Sequence, residues 1–495
     1  MISNWSRFTA WPAREMKRLQ DRLLVDFLRE DLVPFSSYYA KLFDEQDIDV
    51  DEINAVSDLA GLPFTTKSDL IAALDEDPLA FVLRPTADLI RAHWPLARKL
   101  PLLARKLFKG EADVKRVLEK EYLPIFMTAT TGRAAKPVSF LYTRADMYRL
   151  RTAGRRTADV IGLTSADRCI NLFPYAPHLA FWQVAFAGFE SGIFMLSTGG
   201  GKTIGTAGNI RAMEKVKPTC LLGVPSYVYH ILRCAEKEGL KLSSINTIVL
   251  GAEKVPPGLK ERLSDLVVRL GGKPPRVVGT YGFTEAKMAW SECDGGTQGR
   301  ESSGYHLYPD MEIIEIVEPE TGRVVGEGES GEIVYTSLDG RGTAVLRYRT
   351  GDYCEGGITY GPCPHCGKTL PRLSSNITRL SNVKDVSLTK VKGTLVDLNH
   401  IASLLSDASE IEEWQLEISK LNDDPSEVDV MTLSFTPVAG ARIEPKEISR
   451  RIFDATEVAL NKVEVLALPE MVAKLGLETE LKEKRIIDRR AEAKK

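Results

Sequence analysis

The sequence predicts an α/β protein: a large N-terminal region of parallel and mixed sheets with helices, an antiparallel subdomain, and a small C-terminal α+β domain. Three observations carry this. From about Glu121, short apolar runs alternate with helical stretches, the pattern of strands joined by crossover helices. After Gly304 the pattern becomes strand-turn-strand. A composition shift near Ser374–Arg379 then opens a charged region with its own strand and helix signals. The expected division is therefore 1–375, with a helical N-terminal segment and an insertion at 79–122, and 376–495.

The elements follow in order. Leu19–Leu28 and Tyr38–Phe43 carry apolar residues at helical spacing. In LPFTTKSDLIAAL, Thr65 or Thr66 can cap a helix starting near Lys67, its hydroxyl satisfying a free N–H. The stretch His93–Gly110 is basic and amphipathic, with Arg98, Lys99, Arg105, Lys106 and Lys109 beside a leucine stripe. It reads either as attachment to a membrane surface or an acyl chain, or as a surface helix pair broken at Pro101. Cys169–Phe173, Gly192–Leu196, Cys220–Val224 and Thr247–Leu250 read as strands, and Asn209–Val216 and Ser226–Glu238 as helices. Cys169–Phe189 carries no formal charge, but Asn171, Pro174, Pro177, His178 and Gln183 interrupt it, so it reads as a loop entering a buried helix and not as a membrane span. Met311–Gly326 and Gly331–Gly340 supply the antiparallel strands.

The 495 residues are 43% hydrophobic and 27% charged, enough for a sizeable core. Lys+Arg number 65 against 68 Asp+Glu, a formal charge of −3, which excludes a global basic field for nucleic acid. No signal peptide is read at the N-terminus, and seven cysteines fit a reducing cytoplasm better than a disulfide scaffold. A homodimer is compatible with the chain.

Four short strings carry chemistry. Met127–Pro137, MTATTGRAAKP, places small and hydroxyl residues beside a glycine, so that backbone N–H groups can approach a polyphosphate while Arg133 or Lys136 adds positive charge. It lacks the spacing of a Walker A loop. Gly251–Pro257 and Gly279–Glu285 each follow an apolar strand, at the strand end where α/β sheets bind ligands. With Tyr348–Tyr353, YRTGDY, they offer aromatic faces, carboxylates and glycines suited to a purine, a ribose diol and Mg²⁺. Cys363–Cys366, CPHC, has the thiolate spacing of a tight turn around Zn²⁺; plain buried cysteines are the alternative, and no thioredoxin-like βαβ unit favours a redox pair. Cys169, Cys220 and Cys234 lie in apolar segments and read as core.

The ordered set TTGR, GAE, YGFTE and YRTGD resembles the adenylate-forming (acyl-activating) superfamily, and most of all phenylacetate–CoA ligases and their relatives. Leu62–Leu70, Ser197–Tyr227 and Lys482–Arg490 look like that branch as well. The resemblance implies ATP-dependent activation of an aryl or arylacetic acid to acyl-AMP, followed by transfer to CoA. Transfer to an amine or a carrier-protein thiol, and a non-catalytic nucleotide-binding relative, are the alternatives. It implies further that Thr128, Thr130, Thr131, Gly132 and Arg133 cradle the phosphates of ATP, and that Gly251, Ala252 and Glu253 flank the acyl and adenine sites. Tyr281 and Gly282 would lie by the adenine, Thr284 at the α-phosphate, Glu285 on Mg²⁺, Asp352 on the ribose hydroxyls, and Lys482 between carboxylate and α-phosphate. Relatives in this branch place a further Cys and His upstream of the CxxC turn, and Cys293 and His306 fall at matching places, implying a structural Cys₃His zinc site; His365 or Cys354 could replace one ligand. The usual hinge signature is replaced by Asn376–Gly393, where Arg379, Lys384 and Asp385 compete for the hinge. Tyr175, His178, Phe181 and Trp182 are expected to border the acyl pocket, with helix core the competing reading and His178 either a carboxylate contact or a satisfied core histidine.

Overall fold

The computed structural model describes residues 2, 4–130, 137–255, 257–297, 300–380, 388–391, 394–408, 410–423, 427–438, 440–456, 458–477 and 484–490. Its centre is a six-stranded sheet in the order Phe194–Ser197, Arg168–Asn171, Cys220–Gly223, Thr247–Leu250, Arg276–Phe283, Met288–Ser291. The first five strands run parallel and the last is antiparallel to its neighbour. Cys220–Gly223 and Thr247–Leu250 are buried at every position, as expected for strands covered on both faces, which is why they read as unbroken apolar runs. Helices Arg144–Ile161 and Leu179–Ser191 pack together closely, because a Cβ at Gly154 would lie 2.7 Å from the Ala187 Cβ.

Beside this lies an antiparallel sheet, Glu312–Val317, Gly331–Ser337, Tyr348–Cys354, Ile377–Arg379. Its last strand runs beyond residue 375. The composition shift had placed a boundary there, but Asp352 sits opposite Arg379 in register, so the sheet continues through Arg379. Composition misses this because pairing of a three-residue edge strand leaves no hydrophobic signature. A hairpin, Phe126–Ala129 with Ser139–Tyr142, frames the threonine-rich loop.

The N-terminal segment is helical, and Thr66 caps Lys67–Glu76 in a reciprocal capping box with Asp69. Leu96–Lys109 is one continuous helix with Pro101 inside it, so the expected break is absent. Arg98 anchors it, with Nη1 2.7 Å from Glu30 and 3.1 Å from Asp31 and its guanidinium 4.0 Å over Trp94. Leu96, Leu100, Leu103, Leu107 and Phe108 stay 50–87% exposed.

Residues beyond Leu398 bury a core of their own around Ile401, Trp414, Leu416 and Phe435, beneath the sheet Lys462–Val465, Asp429–Pro437, Ile411–Lys420, Ile486–Asp488. Arg233 meets Glu412 at 2.9 Å, and Arg262 donates to the Ser406 carbonyl at 3.1 Å, joining this unit to the larger one. Among the described residues no helix is long and apolar enough to cross a membrane.

Candidate functional site

At the C-terminal edge of the parallel strands a cavity of about 910 Å³ opens, large for a small-molecule site. Its polar wall includes Thr130, Thr284, Glu285, Thr350 and Arg379, and its apolar wall includes Phe173, Leu179, Val184 and Met195. Two tight backbone passages shape it. A Cβ at Gly251 would fall 2.3 Å from the Thr280 hydroxyl, so the strand end can turn there only as glycine. Ala252 follows at φ +70°, a left-handed conformation that non-glycine residues seldom adopt, and it stands on the cavity wall.

The hairpin Arg276–Phe283 and Met288–Ser291 delivers the next residues. Thr284–Ala286 forms a single 3₁₀ turn closed by Lys287 at φ +58°. Lys287 is itself buried and held by Asp146 at 3.0 Å, which fixes the turn to the helix Arg144–Ile161. Glu285 emerges from this turn, half-buried, and accepts a hydrogen bond from the Tyr348 hydroxyl at 2.8 Å. Burial raises its pKa above the ordinary carboxylate value, against the pull of the Tyr348 bond and of Arg379.

Tyr281 lies against Trp290, ring centroids 6.0 Å apart and planes 25° apart. Its hydroxyl donates to Asp352 Oδ2 at 2.8 Å, and burial, reinforced by the Asp352 charge, keeps it protonated far above neutral pH. Arg379 holds the other Asp352 oxygen at 3.1 Å and donates to the Thr350 carbonyl at 2.9 Å. The cross-strand pair thus sets the Arg379 guanidinium on the cavity wall, with the buried Asp352 carboxylate tied to it and not itself a lining residue.

The remaining expected residues distribute as follows. Thr130 lines the cavity, and its hydroxyl accepts from the Val138 amide at 3.0 Å. Thr128 is fully buried and shares a hydrogen bond with the Tyr142 hydroxyl at 3.0 Å, so it braces the hairpin behind the wall. Gly282 lines the cavity, while Glu253 accepts from Ser226 at 3.1 Å. Thr131, Gly132, Arg133, Lys136, Lys384, Asp385 and Lys482 lie outside the described residues. His178 combines both readings: its ring borders the cavity and its Nδ1 is 2.9 Å from the Ala129 carbonyl. Tyr175, Phe181 and Trp182 are not among the lining residues. Tyr175 is exposed, Phe181 joins the core, and Trp182 stacks on Phe186. The helix Leu179–Ser191 instead turns Leu179, Ala180, Gln183, Val184, Ala187 and Gly188 toward the cavity, a stripe of period 3.6. Tyr348 and Gln183 were not anticipated as site residues, though Tyr348 stands first in the YRTGDY string.

A second constellation lies off the cavity. Cys293, His306, Cys363 and Cys366 place one ligand atom each within 4.8 Å of all the others. Cys293 Sγ and Cys363 Sγ are 3.7 Å apart, and Cys366 Sγ is 3.4 Å from His306 Nε2. A tetrahedral site with metal–sulfur bonds of about 2.3 Å has edges of about 3.8 Å, so the four side chains fit a zinc ion. The first three are buried and Cys366 is exposed.

Comparison with known proteins follows this geometry. Residues 129–340 match the AMP-binding enzyme family. Phenylacetate–coenzyme A ligase of Thermus thermophilus is 24% identical over 393 residues, covering 78% of this chain and 75% of the relative. The Escherichia coli enzyme of the same name is 25% identical over 319 residues, covering 63% and 61%. The crystal structure of 2-hydroxyisobutyryl-CoA ligase in its postadenylation state superposes with a TM-score of 0.75 at 20% identity, over 99% of this chain and 93% of that one, and shares the fold. The family match thus runs across this sheet edge, and over most of its length the chain is similar to the phenylacetate–CoA ligase-like branch of the adenylate-forming superfamily.

Proposed function

We propose that this protein is an AMP-forming acid–CoA ligase. A carboxylate attacks the α-phosphorus of ATP, the bond from that phosphorus to the α,β-bridging oxygen breaks, and pyrophosphate leaves; the thiolate of CoA then displaces AMP from the acyl carbon to give the thioester. The observation that supports this best is the juxtaposition, in one cavity, of the Thr284–Glu285 turn, the Arg379 guanidinium, to which Asp352 is paired, and an apolar wall. Two anions must meet for the first step, so the site has to cancel charge. Glu285 and the Thr284 hydroxyl supply hard oxygen donors that suit Mg²⁺, which is held through few protein ligands and the substrate's phosphates. When bound, the ion polarises phosphoryl oxygens. Asp352, held by Tyr281 and Arg379, would receive ribose hydroxyls, a role that rests on the resemblance of the YRTGD motif. The Thr130–Arg133 loop would take the outer phosphates and Lys482, brought by a C-terminal domain beginning after Leu380, would bridge carboxylate and α-phosphate; both roles rest on the resemblance of the sequence motifs. Aryl or arylacetic acids are the substrates that the relatives' names suggest.

The Cys293, His306, Cys363 and Cys366 cluster is read as a structural zinc site, because protein side chains supply all four ligands. None of the seven cysteines is in a disulfide, which suits a reducing cytoplasm. The helix Leu96–Lys109, with five basic residues, no acidic one and an exposed leucine stripe, is read as a membrane-surface attachment.

The test is acid-dependent ATP–pyrophosphate exchange over a panel of aryl and arylacetic acids, followed by thioester formation with CoA. Wild-type protein should exchange with at least one acid, and Glu285→Ala and Lys482→Ala should each lose about 100-fold or more. Equal activity in all three proteins removes these residues from catalysis, and amide or hydroxamate formation without any CoA requirement redirects the second step to an amine.

A further inference from the structure

Gln183 lies on the cavity wall and is only 5% exposed, yet neither its Oε1 nor its Nε2 has a hydrogen-bond partner. Buried side-chain amides are nearly always paired, because losing hydration without a replacement bond is unfavourable. Its surroundings offer no help. Ala158, Ile161, Leu179, Val184 and Met195 make this part of the wall apolar. On a stretch of wall made by apolar side chains, an amide with both its donor and its acceptor open is aimed at a ligand.

We infer that Gln183 recognises a hydroxyl group on the body of the acid substrate, so that the preferred substrate is a hydroxylated, otherwise apolar carboxylic acid. This rests on the reading of the cavity as an acyl-activation site. A hydroxyl both donates and accepts through one oxygen, and so answers Oε1 and Nε2 together. A carbonyl or ether answers only Nε2. A second carboxylate or an ammonium would need a countercharge, and the apolar wall provides none. Gln183 stands with Ala158, Ile161 and Met195 on the apolar wall, whereas Thr284 and Glu285 stand on the polar one. The hydroxyl therefore belongs on the body of the acid, on the apolar side of the cavity and away from the carboxylate.

Sequence patterning could not have shown this. Gln183 reads there only as a polar interruption of an uncharged stretch. Its meaning comes from the helix stripe that turns it toward the cavity together with Ala180, Val184 and Ala187.

The experiment measures kcat/KM for pyrophosphate exchange with matched acids: 4-hydroxyphenylacetate, 3-(4-hydroxyphenyl)propanoate and 4-hydroxycinnamate, each beside its deoxy and 4-methoxy partner. A site built to pair a hydroxyl discriminates strongly against the analogue that lacks it. At least one hydroxy acid should exceed its deoxy partner by about 100-fold or more, and the methoxy acid, which keeps the acceptor but not the donor, should fall well below it. In Gln183→Leu that ratio should collapse to within about threefold, while the melting temperature holds or rises, since the variant removes an unpaired buried amide. Gln183→Met, also apolar and unbranched at Cβ, should give the same ratio and guards against a packing artefact in the leucine variant. A hydroxyl preference that persists in both variants, or exchange with hydroxy and deoxy acids at equal kcat/KM, overturns the assignment of Gln183 and leaves the adenylation reading standing. No exchange with any acid overturns both.

Discussion

Glu285 must be ionised to hold a divalent cation, and its surroundings oppose that. Burial raises its pKa, while the Tyr348 hydroxyl, donating at 2.8 Å, pulls it back down. The sign of a Tyr348→Phe substitution follows. Removing the donor takes away a stabiliser of the charged form, so the pKa rises further, and activity, lost as pH falls through that pKa, should be lost at a higher pH than in wild type. The measurement is kcat/KM for exchange against pH at saturating Mg²⁺. We expect the acid limb to move upward by about half a unit to one unit, corresponding to about 1 kcal/mol for one hydrogen bond to a charged group. A limb that stays in place, or moves downward, removes Tyr348 from the control of Glu285. At this scale the sequence was informative wherever a residue acts through its own type and its neighbours in the chain. Thr66 at its cap and Glu285 in YGFTE are legible for that reason. Thr128 is not, since whether a threonine faces a ligand or braces a hairpin depends on which side of the strand it takes, here the side of Tyr142.

Among the elements, the CPHC turn shows how a short loop can support a site it does not touch. Cys363 and Cys366 stand on a turn tied by the Gly367 amide to the Cys363 carbonyl, and their partners lie just beyond Met288–Ser291 and within Tyr305–His306. The second strand of the hairpin that bears Tyr281 and Glu285 therefore ends beside the Cys293, His306, Cys363 and Cys366 cluster. Cys363→Ser should lower zinc, measured by atomic emission, from about one ion per chain to less than a tenth, and should lower the melting temperature by several degrees, in line with the role of closed four-ligand sites in folding. Wild-type protein without zinc, or a variant that keeps it, ends this reading. The cluster was half legible: CxxC announces itself by spacing, whereas Cys293 and His306 came only through the resemblance. The stripe on Leu179–Ser191 was misread for another reason. Its aromatic residues drew attention to the pocket, but period 3.6 turns Phe181 and Trp182 to the protein side and the small residues to the cavity.

Across the whole molecule the parallel sheet was legible, because buried strands are written as apolar runs and crossover helices as amphipathic ones, whereas the order of its strands came only from the structure. The limit of the larger unit was not, since the strand Ile377–Arg379 is held by pairing alone. Charge supplies a further argument at this scale. The chain carries a formal net charge of −3, so no overall attraction draws it to an anionic surface. The helix Leu96–Lys109 runs against that balance, with five basic residues and no acidic one. Arg105 and Lys106 are partly offset by Asp113 and Glu111 on the next helix, so charge alone gives a weak attachment. The apolar stripe has to carry the rest. Leu103 is 50% exposed, Leu107 83% and Phe108 87%, and burying such side chains in a lipid interface contributes about 25 cal/mol per Å² of apolar area. Binding should therefore need both terms. Wild-type protein is expected to sediment with phosphatidylcholine vesicles containing phosphatidylserine, and less with phosphatidylcholine alone. A Leu103→Glu, Leu107→Glu double substitution should reduce the bound fraction at least tenfold, since it removes apolar area and adds two charges that the same surface repels. Those side chains are remote from the cavity wall, so pyrophosphate exchange in solution should be unchanged, which separates loss of docking from loss of folding. Equal sedimentation of the two proteins, or none of the wild type on any anionic vesicle, would leave the stripe without a membrane role.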